Sequence, residues 1–290
     1  MKQNIQLLII DPQNDFCDLP DDYLQKEVRG MEDFGNWAPA LPVNGAHADM
    51  LRLAEAVLTG AAGISAITVT LDSHHHVGIE RPAFWIRSDG TDVAPFTEIT
   101  QGDILAGSIK PRDERSTPRA LAYLHALEAN GRYRLMVWPT HCEIGTWGHN
   151  VHRDLRHAYN RWEERQMAQV YKVIKGTNPW TEHYSALVSE VPDIDDPATQ
   201  MNHHLLKRLS SADQLFVGGE AGSHCVRATV EDLIAALPDD QKKRIVLLTD
   251  CMSCISGFDE QYRRFLEKMG SFGVQLATSS DLRQELLANA

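Results

Sequence analysis

Cys225 stands at the end of the Gly-rich stretch Gly218-Gly219-Glu220-Ala221-Gly222-Ser223-His224, and a strand-like run, Leu215-Phe216-Val217, leads into it. Beyond it Val226, Val230, Leu233, Ile234 and Leu237 share one face of an amphipathic helix. A thiol beside a first helical turn meets unpaired backbone N–H groups and the positive end of the helix dipole. Both favour a thiolate over its free pKa of about 8.5. That makes Cys225 a candidate nucleophile. A cysteine packed as a small apolar group would leave the same local sequence, so the choice depends on partners supplied elsewhere.

Residues of suitable chemistry recur at the ends of apolar runs. Ile5-Gln6-Leu7-Leu8-Ile9-Ile10 reads as a strand buried on both faces and ends at Asp11-Pro12. Ile67-Thr68-Val69-Thr70-Leu71 ends at Asp72-Ser73-His74-His75-His76, where Asp72 and His74 point the same way because side chains alternate along an extended chain. The run from Tyr133 to Val137 enters Trp138-Pro139-Thr140-His141-Cys142-Glu143-Ile144-Gly145-Thr146, and that from Gln169 to Ile174 enters Lys175-Gly176-Thr177. Carboxylate oxygens and imidazole nitrogens are the donors that Zn, Fe and Mn sites use. Singly, each residue has an ordinary reading: an Asx turn at Asp11-Pro12, a solvated histidine cluster, a surface lysine. Together, Asp11, Asp72, His74, His141, Lys175 and Cys225 all follow strands, and ligands of parallel α/β sheets bind beyond the strands' carboxyl ends.

The intervening segments are those needed to hold such strands side by side. Met50, Leu53, Ala54 and Val57 give a helical face closed by Gly60 and Gly63. Thr117-Pro118 reads as a cap with a first-turn proline, followed by Leu121, Leu124 and Leu127 and a stop at Asn130-Gly131. Arg244 to Leu248 is a further strand. Asp259 is expected to cap a helix bearing Tyr262, Phe265, Leu266 and Met269, ended by Gly270 and Gly273, before a last strand at Val274 to Ala277. The βαβ order predicts an α/β fold of three layers, α/β/α, around a mostly parallel, Rossmann-like central sheet. Stretches at about 17–41 and 77–116 lack a sustained period and read as two long loop insertions in a single domain, 1–290.

Composition narrows the partners. The 290 residues carry 28 Lys plus Arg against 40 Asp plus Glu, a net charge of −12, which argues against nucleic acid or an anionic membrane and for a small molecule. No apolar run is long enough to cross a bilayer and no signal-peptide layout opens the chain, so a cytoplasmic location is expected. The five cysteines are an odd number and read as reduced thiols; Cys251-Met252-Ser253-Cys254 lacks a second pair to complete a zinc cage. No Gly-x-Gly-x-x-Gly follows the first strand, against a dinucleotide site.

These motifs resemble those of the cysteine-hydrolase (isochorismatase-like) superfamily, in its metal-binding nicotinamidase/pyrazinamidase branch. The matches are Asp11-Pro12-Gln13-Asn14-Asp15-Phe16, Asp72-Ser73-His74, Trp138 to Thr146, Lys175-Gly176-Thr177 with Tyr184-Ser185-Ala186, and the corner Ala221 to Thr229. The resemblance implies a catalytic triad of Asp11, Lys175 and Cys225. It also implies one divalent metal per subunit on Asp72, His74 and His141, with Zn first and Fe or Mn as alternatives, and with His75 or His76 as a further ligand. Phe16 and Trp138 would flank a flat ring, and Glu220 would face the substrate. A cis peptide between Glu220 and Ala221 would turn the N–H groups of Ala221 and Cys225 into an oxyanion hole. The activity implied is hydrolysis of nicotinamide to nicotinate and ammonia through a cysteine thioester, in a homo-oligomer. The chain departs from the family's pattern at Glu220, at Ala221-Gly222-Ser223-His224 and in the two insertions, so another small amide or ureide stays open as the substrate.

Overall fold

A computed structural model describes residues 2–24 and 38–290 of the chain, so most of the expected insertion at 17–41 lies outside the described residues. The strands are β1 (Ile5–Ile10), β2 (Ala66–Asp72), β3 (Trp85–Arg87), β4 (Thr97–Ile99), β5 (Ile109–Pro111), β6 (Leu135–Val137), β7 (Tyr171–Lys175), β8 (Gln214–Gly219), β9 (Ile245–Leu248) and β10 (Gln275–Ala277). The α-helices are α1 (Ala46–Gly60), α2 (Gln101–Leu105), α3 (Thr117–Asn130), α4 (Arg153–Gln166), α5 (His203–Ser210), α6 (Cys225–Ala236), α7 (Asp239–Lys242), α8 (Asp259–Ser271) and α9 (Ser279–Ala288).

Six strands form one parallel sheet in the order β10-β9-β8-β1-β2-β7. The alternation of side chains along β1 builds the two faces. Ile5, Leu7 and Ile9 pack with Met50, Leu53 and Val57 of α1, Leu155, Ala158 and Trp162 of α4, and Leu282 and Leu286 of α9. Leu8 and Ile10 pack on the other side with Leu205 and Leu209 of α5, Val226, Val230 and Leu233 of α6, and Phe265 and Met269 of α8. A sheet with apolar residues on both faces needs helices on both, and the three-layer architecture follows.

Several local expectations are corrected. The Tyr133–Val137 strand shrinks to β6 and leaves the central sheet, pairing antiparallel with β4. Residues 77–116 are not plain loop: β3 pairs with β5, and Ile79, Trp85, Val93 and Ile99 share a third core with Ala120, Leu124 and Leu127 of α3. Elements of three to five residues are too short to show a period, which is why the sequence reads as irregular there. Thr117 and Asp259 lie inside their helices, with Ser116 and Phe258 at the cap positions and no side-chain cap bond. Helix α8 runs through Gly270 to Ser271. Helices α4, α5 and α9 have no counterpart in the sequence reading.

Candidate active site

The parallel strands deliver their chemistry to one end of the sheet. Asp11 follows β1, Asp72 closes β2, Lys175 closes β7, and Cys225 opens α6 after β8. Because β1 lies between β8 and β2, and β2 pairs with β7 in register Asp72↔Lys175, four distant stretches of chain meet. All four side chains are buried.

Lys175 is the hub. Its Nζ lies 2.9 Å from Asp11 Oδ2, 2.9 Å from Asp72 Oδ1, 2.9 Å from His183 O and 3.5 Å from Cys225 Sγ. Burial alone would lower the lysine's pKa, but the charges of Asp11 and Asp72 outweigh it and hold the ammonium well above its usual range. Asp11 is raised, by burial first, although Lys175 opposes; Thr70 Oγ1 donates to its Oδ1 at 2.5 Å. Burial also lifts Cys225 well above the ordinary thiol range, against the lowering charge of Lys175 and with Asp11 and Asp72 adding to the rise. Desolvation and the two carboxylates thus oppose the thiolate that the helix position and the Lys175 ammonium favour.

Asp72 joins this group to a second one. Its Oδ2 lies 2.8 Å from His74 Nε2 and 3.2 Å from His141 Nε2. Burial would raise Asp72, yet the charges of His74 and Lys175 hold it well below the usual carboxylate range. His74 moves the other way: burial pulls it down, the Asp72 carboxylate more than compensates, and the ring is pushed up to about 9. His141 is pulled down to about 4 by burial and then by Arg81. Two imidazole nitrogens and a carboxylate oxygen thus converge, and the three ligand atoms lie within 4.8 Å of one another. This donor set fits a divalent ion of the Zn, Fe or Mn kind. His75 and His76, the further candidates, are exposed, and His76 pairs with Glu143 instead.

Supporting residues come from the quoted motifs (Gln13, Asp15, Gly176) and from a segment the sequence reading left unassigned (Glu80, Arg81). Glu80 Oε1 lies 3.1 Å from His74 Nδ1 and 3.1 Å from Arg81 Nε. Arg81, fully buried, donates from Nη1 to Pro139 O (2.8 Å) and from Nη2 to His141 O (2.9 Å), so it clamps the loop that carries His141. His141 Nδ1 is 2.8 Å from Pro139 O and 2.9 Å from Arg81 Nη1; the tautomer that carries its proton on Nδ1 leaves Nε2 free to ligate. Gln13 brackets the Asp72 backbone, accepting from its N (2.7 Å) and donating to its O (2.8 Å), while Asp15 Oδ2 accepts from Cys142 N at 2.6 Å. Gly176 has φ +85°, and a Cβ there would lie 2.9 Å from His74 Cε1. The one visible signal for Glu80 and Arg81 was a charged pair just beyond the histidine cluster.

A narrow pocket opens onto Cys225, Asp72 and His141. Phe16, Leu41, Trp138, Tyr184, His224 and Ile255 make its apolar walls, with Ala221 and Glu182 completing the lining. Trp138 Nε1 donates to Tyr184 Oη at 2.9 Å and fixes the indole plane. His224 is held down to about 3 by burial, then by Arg227, and is a neutral ring at neutral pH. Glu182 is pushed up to about 7 by burial and the charge of Glu80. The Glu220–Ala221 peptide is cis, and the N–H groups of Ala221 and Cys225 make no hydrogen bond among the described residues. Glu220 does not line this pocket. It continues the alternation of Phe216 and Gly218 and so turns towards α1, where its carboxylate accepts from Ser253 N at 3.2 Å.

No protein-family model and no curated protein matches the chain. Solved structures do. A nicotinamidase/pyrazinamidase from Acinetobacter baumanii matches at 20% identity over 97% of this chain and 98% of its own, with a TM-score of 0.58. The yeast nicotinamidase matches at 18% identity over 94% and 99%, also at 0.58. The pyrazinamidase of Pyrococcus horikoshii, solved in complex with zinc, matches at 18% identity over 95% and 99%, at 0.50. The class is therefore an α/β fold of the kind built by nicotinamidases and pyrazinamidases, across nearly the whole chain. At these identities the likeness is one of fold, and the chemistry rests on the residues above.

Proposed function

We propose that this chain is a metal-dependent amidohydrolase that converts nicotinamide to nicotinate and ammonia through a thioester on Cys225. The observation that carries the reading is the Lys175 ammonium set among Asp11, Asp72 and Cys225 at the floor of an aromatic-walled pocket. The fold shared with structures described as nicotinamidases supports it.

The raised pKa of Asp11 suits it to take the Cys225 proton as the sulfur attacks the amide carbon, and Lys175 stabilises the thiolate so formed. The negative charge arising on the amide oxygen is met by the N–H groups of Ala221 and Cys225; one such donor is worth about 3 kcal/mol in comparable sites. Protonated Asp11 then gives its proton to the departing nitrogen, which leaves as ammonia. Asp11 next accepts a proton from the water that cleaves the thioester and returns it to the departing sulfur, which releases the acid and restores both the thiol and the Asp11 carboxylate. Asp72, His74 and His141 would hold a divalent metal, which when bound supplies a Lewis-acid contact for a ring nitrogen. Phe16, Trp138 and Tyr184 hold a planar ring and exclude water.

His224 in the wall favours one second reading, the same chemistry on another small amide or ureide whose substituent meets the imidazole. The deciding experiment measures ammonia release from nicotinamide by the metal-loaded protein, with metal content assayed on the same sample and Cys225→Ala as control. Cys225-dependent release supports the first reading. None from nicotinamide, with release from another member of an amide panel, supports the second.

A further inference from the structure

Glu220 is a fully buried carboxyl that the chemistry above does not use. Its Oε2 accepts from Ser253 N at 3.2 Å, whereas Oε1 has no hydrogen-bond partner among the described residues. Next to it is Asp49, buried in the first turn of α1, whose Oδ1 takes Arg52 Nη2 at 2.5 Å and whose Oδ2 takes Ser253 Oγ at 2.6 Å. The ionisable groups coupled to this pair are Arg52 from α1, Cys17 and Asp18 from the chain after β1, Cys251 and Cys254 from the loop after β9, and Tyr262 from α8. Arg52 is the one cation among them, and it is shared between Asp49 and, through Nε, Asp250. Two carboxyls buried together with a single cation do not both ionise. In keeping with this, burial first and the charge of Asp49 second push Glu220 well above the carboxylate range.

Ser253 connects this pair to the nucleophile corner. It donates its N to Glu220 and its Oγ to Asp49, and its O accepts from Gly222 N at 2.7 Å. Gly219 N donates to Cys251 O at 2.8 Å, and Ile255 N donates to Ser223 Oγ at 3.2 Å. Residues 219–223 are thereby bracketed against 251–255, and Ala221 lies within the bracket.

We propose that Glu220 and Asp49 share one proton and, acting through Ser253, aim the Ala221 N–H at the reacting carbonyl, with Glu220 a positioning residue that touches no substrate. The kinetic part of this inference rests on the amidohydrolase reading; the shared proton does not.

The test compares E220Q, which keeps a hydrogen-bonding group of the same shape without a titrating proton, with E220L, which keeps bulk alone. E220Q should hold kcat and KM within about twofold of wild type. E220L should lose about tenfold or more in kcat with KM nearly unchanged, since full loss of an oxyanion donor costs about 10²–10³ in kcat. Thermal unfolding gives the second readout. A carboxyl whose folded pKa is raised contributes stability that is complete at low pH and is lost as pH rises through the folded value. The wild-type Tm should therefore drop from pH 6 to pH 9 by more than that of E220Q. Wild-type kcat in E220L, or a KM rise in E220Q that reveals substrate contact, overturns the positioning role. Parallel Tm curves for wild type and E220Q overturn the shared proton. Should E220L fail to fold, S253A removes the link to Asp49 alone and is expected to lower kcat in the same way. A wild type that hydrolyses no amide refutes the amidohydrolase reading and the positioning role with it, while the Tm curves still decide the shared proton.

Discussion

At the scale of single residues, Asp72 links two functions usually considered apart. One carboxylate oxygen holds the Lys175 ammonium and the other faces two imidazole nitrogens, so the electrostatics of the candidate nucleophile and the candidate metal-ligand set share a charge. Cys225→Ala should abolish ammonia release while leaving metal content and Tm close to wild type; turnover near wild type would remove Cys225 as nucleophile. His141→Ala should lower metal stoichiometry and raise KM, which metal analysis and steady-state kinetics check together. Metal binding must displace the proton that His74 holds up to about 9 in the metal-free fold. Apparent affinity should then weaken as pH falls below that value, by up to about tenfold per unit, readable in a competition titration with a chelator. A pH-independent affinity would contradict the ligand assignment.

At the scale of elements, legibility followed period and length. Strands β1, β2, β8 and β9 were visible because buried parallel strands are near-continuous apolar runs, and the edge strand β7 because Tyr171, Val173 and Ile174 favour strand; the residues ending them supplied Asp11, Asp72, Lys175 and the Cys225 corner. Helix α4 was overlooked although Leu155, Ala158, Tyr159 and Trp162 keep helical spacing, because charged residues crowd its other face and hide the stripe. Trp162, fully buried between α4 and the sheet, tests that element: Trp162→Ala should cost about 3–5 kcal/mol in a denaturant titration. What sequence could not convey was side-chain direction after a strand ends. Glu220 lies next to the oxyanion corner in the chain, yet strand parity turns it to the opposite side of the sheet. Arg81 reaches the His141 loop through a segment with no period, so its clamp could be found only in three dimensions.

At the scale of the whole molecule, buried acids set the response to pH. Glu190 is pushed up to about 8 by burial, with Asp232, Glu182 and Glu231 adding to the rise and Arg132 opposing it. Its unfolded value is about 4.3, so its contribution to stability is complete below that pH and is lost as pH climbs through about 8. Glu190→Gln should flatten the decline of Tm between pH 5 and pH 8.5, by about 2–4 °C for each kcal/mol of the effect removed. A curve parallel to wild type would show that Glu190 ionises freely in the fold. Among the described residues no helix is long and apolar enough to cross a membrane.

The strand order has a consequence for how activity is acquired. Asp11, Asp72, Lys175 and Cys225 belong to β1, β2, β7 and the end of β8, and each becomes neighbour to the others only when strands far apart in sequence have zipped together. Such non-local pairings form late and at the cost of closing long loops. Until then the sulfur has no ammonium beside it and no proton acceptor within reach. The proposed proton acceptor and the proposed ammonium thus reach Cys225 together, so ammonia release should appear in refolding only once the central sheet is complete.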